Sequence, residues 1–155
     1  MRNDIVNEIT VLDGEKDTLA FGQRLSMSLK AGDMVRLHGD LGAGKTTLTR
    51  GILKGLGHDG KVRSPTYTLV ERYVGDGVRV CHFDLYRMAD AEELEFLGAR
   101  EDFSGENICI IEWPERGEGW LPAQDLDVYL TFYSQPHENT EKISRQIELK
   151  WHNRR

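Results

Sequence analysis

Apolar residues recur with several distinct spacings along this chain, and each spacing predicts an element. Residues 5–12, ending Ile9-Thr10-Val11-Leu12, read as a short edge strand. Leu19, Phe21, Leu25 and Leu29 form the stripe of a helix capped by Asp17 or Thr18. Gly32-Asp33 turns the chain into an apolar run over 34–38, a strand in which Arg36 must reach water or an acid. Leu48, Ile52 and Leu56 stand at i, i+4 and i+8, predicting a second helix with Gly57 just past its end. Pro65 forbids a helix and favours extended chain, and 67–74 reads as a strand. Gly75-Asp76-Gly77 then turns into a strand over 78–86. Such a hairpin is antiparallel, so the sheet must be mixed.

In the strand at 78–86, Val80, His82, Asp84 and Tyr86 alternate with Cys81, Phe83 and Leu85. One face is a core face, and the other is either an ordered polar set or a solvated edge. Asp90 is placed to cap a short acidic helix with Leu94 and Leu97 inward and Glu92, Glu93 and Glu95 in water. Ile108-Cys109-Ile110-Ile111 has no alternation, as expected of a central strand buried on both faces. Residues 126–133 alternate clearly and 143–149 more weakly, predicting two terminal antiparallel strands joined by the polar run Ser134–Lys142. Residues 1–150 form one domain, and 151–155 read as a fraying tail.

Composition narrows the class. A chain of 155 residues suffices for one core without disulfides or metal staples. A net charge of −6 argues against strong non-specific nucleic-acid binding through the chain's own surface. No apolar run is long enough for a membrane span, and residues 1–5 lack the apolar segment of a secretory signal, so a cytoplasmic location is expected. Cys81 and Cys109 lie in apolar strands and read as reduced core residues.

The candidate chemistry begins at 39–46, Gly-Asp-Leu-Gly-Ala-Gly-Lys-Thr, which has the G-x-x-x-x-G-K-[ST] spacing of a phosphate-binding loop. The strand before it and the helix after it supply the required context. Gly42 and Gly44 permit backbone conformations closed to residues with a Cβ, so that successive N–H groups point at phosphate oxygens. Lys45 supplies charge for the β and γ phosphates, Thr46 a hydroxyl for Mg²⁺, and the helix terminus a positive dipole end. Gly42, Ala43, Gly44, Lys45, Thr46 and Thr47 are thus the expected nucleotide-binding set. Glu112 ends the buried strand, at the position where a second acid holds Mg²⁺ or its water opposite Thr46. The expected fold is α/β, a P-loop NTPase-like three-layer arrangement with a mixed, partly antiparallel central sheet.

No Asn-Lys-x-Asp guanine motif occurs, which weighs against a Ras-like GTPase, and Asp102-Phe103-Ser104-Gly105 follows no apolar strand, so its D-x-x-G spelling is fortuitous. No arginine-rich lid is evident, although a small-molecule or nucleotide kinase remains the competing class. Arg63, Arg72, Arg87 and Arg116 are candidates for an arginine finger, as is an arginine supplied by a partner.

Four blocks in order, residues 39–47, Ser64-Pro65-Thr66-Tyr67-Thr68, His82-Phe83-Asp84-Leu85-Tyr86-Arg87 and Ile111-Glu112-Trp113-Pro114-Glu115, closely resemble the TsaE (YjeE) family. The loop is generic to P-loop NTPases, whereas the other three blocks are specific, and the resemblance covers about residues 5–135. It implies a Mg²⁺-dependent ATPase of low intrinsic turnover that docks on TsaB and TsaD. TsaD transfers the threonylcarbamoyl group to adenosine 37 of tRNA, so tRNA is met only through the partner complex. By position, the resemblance gives Lys45 to phosphates and Thr46 and Glu112 to Mg²⁺, and makes Ser64–Thr68 a nucleotide-responsive switch. Asp84 falls where the family keeps an active-site acid, which either orients the attacking water or supports the metal. Trp113 matches a family residue associated with partner coupling.

Overall fold

The computed structural model describes residues 6–133 and 144–152. In chain order the elements are β1 (Val6–Asp13), α1 (Gly14–Ser26), β2 (Met34–His38), α2 (Lys45–Gly55), β3 (Val70–Val74), β4 (Arg79–Asp84), α3 (Glu93–Phe96), α4 (Ala99–Ser104), β5 (Ile108–Glu112), a 3₁₀ turn (Pro114–Gly117), β6 (Leu126–Tyr133) and β7 (Ser144–Trp151). The seven strands form one mixed sheet in the order β1-β7-β6-β2-β5-β4-β3. The four middle strands, β6, β2, β5 and β4, run parallel. Antiparallel pairing adds β7 and then β1 at one end and β3 at the other. The α/β class and the mixed sheet are as expected. The strand at 126–133 is antiparallel only to β7; towards β2 it is parallel.

One sheet face is covered by α1 and α2, which bury Leu48, Ile52 and Leu53 against Val35, Leu37, Ile110 and Val128. These helices approach closely because glycines meet at their crossing. A Cβ on Gly22 would lie 2.5 Å from the Leu48 carbonyl oxygen, and one on Gly51 would run into that of Leu19. On the other face, α3 and α4 cover Cys81, Phe83, Cys109 and Ile111 with Leu94 and Ala99. The second helix ends as its spelling predicts: Gly57 has φ 92°, and the His58 and Gly57 N–H groups cap the Leu53 and Lys54 carbonyls.

Several local expectations are corrected. The first helix starts at Gly14, not after Asp17; Asp17 instead reaches back to accept the Asp13 N–H at 2.9 Å. Residues 65–69 form a turn, closed by the Leu69 N–H on the Pro65 carbonyl (2.7 Å), so β3 begins at Val70 rather than 67. The acidic helix is confined to Glu93–Phe96, and beyond Gly98, whose φ is 74°, a further short helix, α4, follows that the patterning did not predict. Asp90 accepts the Glu92 N–H, and Glu93 turns back to the Ala89 and Asp90 N–H groups instead of pointing to water. The last strand continues to Trp151, paired with Leu126 and Val6, and His152 bonds to Asp125 and Asp127, so the ordered chain passes residue 150. The connector 134–142, Ile143 and residues 153–155 lie outside the described residues.

The polar face of β4 is not a solvated edge. β4 is hydrogen-bonded on both sides, to β5 and to β3, and His82 is fully buried, with Asp84 7% exposed. Among the described residues no helix is long and apolar enough to cross a membrane.

Candidate functional site

The sheet delivers its chemistry to one edge. β2 ends at His38, and the loop that follows returns the chain into α2 at Lys45. Gly42 (φ 81°) and Gly44 (φ 105°) hold the left-handed conformations that let this loop curl, and Gly44 is the residue immediately before the helix. Ala43 is buried in the core beneath the loop, anchored by its N–H on the Asp40 carbonyl.

Lys45 is the first residue of α2 and only 5% exposed. Among the described residues its Nζ finds no hydrogen-bond partner; it stands 3.9 Å from Glu112 Oε1 and 4.1 Å from the centre of the Trp113 ring. Burial pulls the Lys45 ammonium below the usual lysine range, against the opposing attraction of Glu112, Asp84, Glu115 and Asp40. The result is a desolvated cation with unused donors facing two buried carboxylates.

Those carboxylates are brought together by register. β4 and β5 run parallel with Asp84 opposite Glu112, so both acids emerge at the carboxyl ends of adjacent strands. Glu112 Oε2 lies 2.5 Å from His82 Nε2, two residues earlier on β4. Asp84 Oδ1 accepts the Tyr86 N–H (3.0 Å), and its Oδ2 accepts the Thr66 hydroxyl (3.3 Å). Ser64 Oγ is 2.7 Å from Thr66 Oγ1, so a chain of hydroxyls ties the 64–68 segment to Asp84. Leu69, which closes that segment, has φ 68°, a strained setting for a branched side chain, and its carbonyl accepts the Asp84 N–H. Trp113 is also left-handed (φ 56°), which swings its ring over Lys45 and to within 4.9 Å of Tyr86.

A cavity of about 250 Å³ joins these groups. Gly42, Gly44, Lys45, Thr46, Thr47, Ser64, Thr66, Asp84, Glu112 and Trp113 all line it. The other expected site residues do not. Pro65 is buried, Tyr67 is 82% exposed beneath Arg87, and Thr68 donates to Glu71. None of the four arginines considered from the sequence lines the cavity. Arg72 is committed to Asp102 and the Leu97 carbonyl, and Arg116 and Arg87 lie over tyrosine rings.

Two residues beside the site have no role assigned from the sequence. His82 carries a signal, its place on the face of Asp84 and in the block 82–87, although a solvated edge also explains it. Arg145 carries none, since it sits in a weakly patterned strand; it reaches the cavity because β7 lies beside β6.

Known proteins match this chain along most of its length. The family model described as "Threonylcarbamoyl adenosine biosynthesis protein TsaE" matches residues 12–146. The tRNA threonylcarbamoyladenosine biosynthesis protein TsaE of Haemophilus influenzae is 51% identical over 140 residues, covering 87% of this chain and 84% of that protein. Its Bacillus subtilis counterpart is 40% identical over 115 residues, covering 74% and 72%. The crystal structure of Bacillus subtilis YdiB superposes with a TM-score of 0.75 at 28% identity, covering 97% of this chain and 88% of that one. With a P-loop NTPase-like fold and a match across most of its length, the chain belongs to the TsaE family.

Proposed function

We propose that this protein is a Mg²⁺-dependent ATPase that supports synthesis of N6-threonylcarbamoyladenosine at tRNA position 37. It does so by docking on and resetting TsaB–TsaD, not by performing the transfer. The observation that carries the ATPase part is the desolvated Lys45, whose Nζ has no hydrogen-bond partner and faces Asp84 and Glu112 across a cavity floored by the glycine loop. The role in tRNA modification rests on the names of the relatives.

The side chains present fit a nucleotide with its metal. A buried ammonium with free donors suits phosphate oxygens, and a hydroxyl beside two carboxylates is the hard-oxygen set that Mg²⁺ takes. Thr46 and Glu112 would hold the metal, whose contribution is to neutralise charge on the β and γ phosphates. Lys45 leaves the Trp113 face to bind phosphate, gaining the hydrogen bonds it lacks. Gly42 to Thr47 present backbone N–H groups to the same anion. Asp84 orients the attacking water, and the Ser64–Thr66 hydroxyls fix its carboxylate, which gives the 64–68 segment a direct link to the nucleotide state. Trp113, between Lys45 and Tyr86, couples that state to the surface met by partners. The net charge of −6 leaves tRNA contacts to the partner complex, in the cytoplasm.

The test is reconstitution of tRNA modification with TsaB, TsaD and threonylcarbamoyl-adenylate, with and without this protein. Multiple rounds are expected only in its presence and only with ATP. Multiple rounds without it would refute the proposal.

A further inference from the structure

The cavity holds a second cation, Arg145, beside Gly42 and Gly44 of the glycine loop. Arg145, near the start of β7, donates from Nη2 to the Gly42 carbonyl at 3.3 Å. Its stem lies along Gly44, where a Cβ would come within 3.2 Å of Nε and 3.3 Å of Cδ. The guanidinium stands 5.8 Å from the centre of the Phe132 ring. Its Nε is buried and has no hydrogen-bond partner, and no carboxylate pairs with Arg145 among the described residues. A guanidinium carries five N–H donors, and buried donors without acceptors are costly. A purely structural clamp on Gly42 would use one donor and leave the buried Nε unmet.

We propose that Arg145 is a nucleotide-binding residue, a guanidinium supplied in cis that hydrogen-bonds the diphosphate part of a bound nucleoside di- or triphosphate from the Gly42–Gly44 side of the loop. Lys45 serves the anion from the Glu112 side. Arg145 is held in place by its bond to Gly42, by the glycine at 44 that leaves room for its stem, and by the Phe132 ring. Because it contacts the part common to ADP and ATP, it strengthens both to the same degree and does not discriminate between them. This assignment rests on the nucleotide-binding function proposed above.

Calorimetric titration of the full chain with ADP and with the slowly hydrolysed analogue ATPγS, each with Mg²⁺, tests it. Arg145→Met keeps the aliphatic stem against Gly44 and Phe132 but removes the donors, Arg145→Lys keeps the stem and charge but not the planar guanidinium fork, and Lys45→Ala serves as reference. Thermal unfolding of each variant without nucleotide identifies any that fails to fold. The expected result is that R145M weakens both nucleotides equally, by about 10- to 100-fold, with R145K between it and wild type. A folded R145M that binds ADP as wild type does, or that loses affinity for ATPγS alone, overturns the assignment. If wild type binds neither nucleotide, or K45A binds as well as wild type, the underlying nucleotide site is what fails.

Discussion

His82 Nε2 and Glu112 Oε2 are 2.5 Å apart, and neither side chain is open to water. Glu112 therefore enters the site from a fixed direction, one oxygen engaged by the imidazole and the other 3.9 Å from Lys45 Nζ. Removing His82 leaves a cavity and a carboxylate short of a donor. We expect His82→Ala to lower unfolding free energy by about 2–4 kcal/mol and to slow single-turnover phosphate release by roughly tenfold or more. Glu112→Gln, which can still meet His82, should stay folded yet lose at least about 10²-fold in release. Wild-type release by folded E112Q would remove Glu112 from the reaction.

The Lys45 ammonium is buried at a cost to stability. Its pKa is lowered because burial penalises the charged form, so below that lowered pKa the folded protein carries a penalty that the unfolded chain does not. As pH rises from the folded pKa towards the normal lysine value, the lysine can shed its proton in the folded state and the penalty fades. Lys45→Met should accordingly raise stability without nucleotide at neutral pH, by on the order of 1 kcal/mol, with the gain shrinking towards alkaline pH. The same substitution should abolish stabilisation by ATP. Urea titrations at several pH values with and without ATP measure both effects, and a less stable K45M at neutral pH would contradict this account.

The crossing of α1 and α2 leaves no room for a methyl group. Alanine favours helix over glycine by about 1 kcal/mol. At Gly51 that gain is outweighed, because the new carbon would collide with the Leu19 carbonyl, a backbone atom that cannot rotate away. Gly51→Ala should destabilise by about 1–3 kcal/mol in chemical denaturation. Since α2 also carries Lys45, nucleotide affinity should fall with it.

Asp127 ties the strand before the loop to the end of the chain. It accepts from His38 and His152 at 2.7 Å each and from Gln124 at 2.9 Å. Burial works to raise its pKa, but these hydrogen bonds win and bring it down to about 2. A carboxyl depressed below its unfolded value of about 3.9 stabilises the fold above that value and loses its contribution as pH falls towards about 2. Asp127→Asn should therefore cost about 2 kcal/mol at neutral pH, and its stability should vary less than wild type's between about pH 4 and pH 2. Parallel acid-unfolding curves for the two proteins would disprove it.

Much of this was legible before any coordinates. The glycines and Lys45 spell their own conformation and charge, and the unbroken run 108–111 announces a strand buried on both faces, with Glu112 at its mouth. Local patterning extends that far because a strand's two faces and a helix's stripe are written in the order of neighbouring residues. Where the pattern failed, a distant contact had prevailed. His82 looks like a solvated position until β3 and β5 close over β4, and the expected start of a strand at Tyr67 gives way to a turn whose end, Leu69, is held by Asp84.

The sequence by itself determined the loop, its helix, the acid at the end of β5 and the family to which they belong. Only the tertiary structure decided which charges share the cavity. Strand register sets Asp84 beside Glu112, and sheet order carries Arg145 from beyond residue 133 back to Gly42. Such neighbours are separated by up to 103 residues along the chain, and no local periodicity encodes a contact of that length.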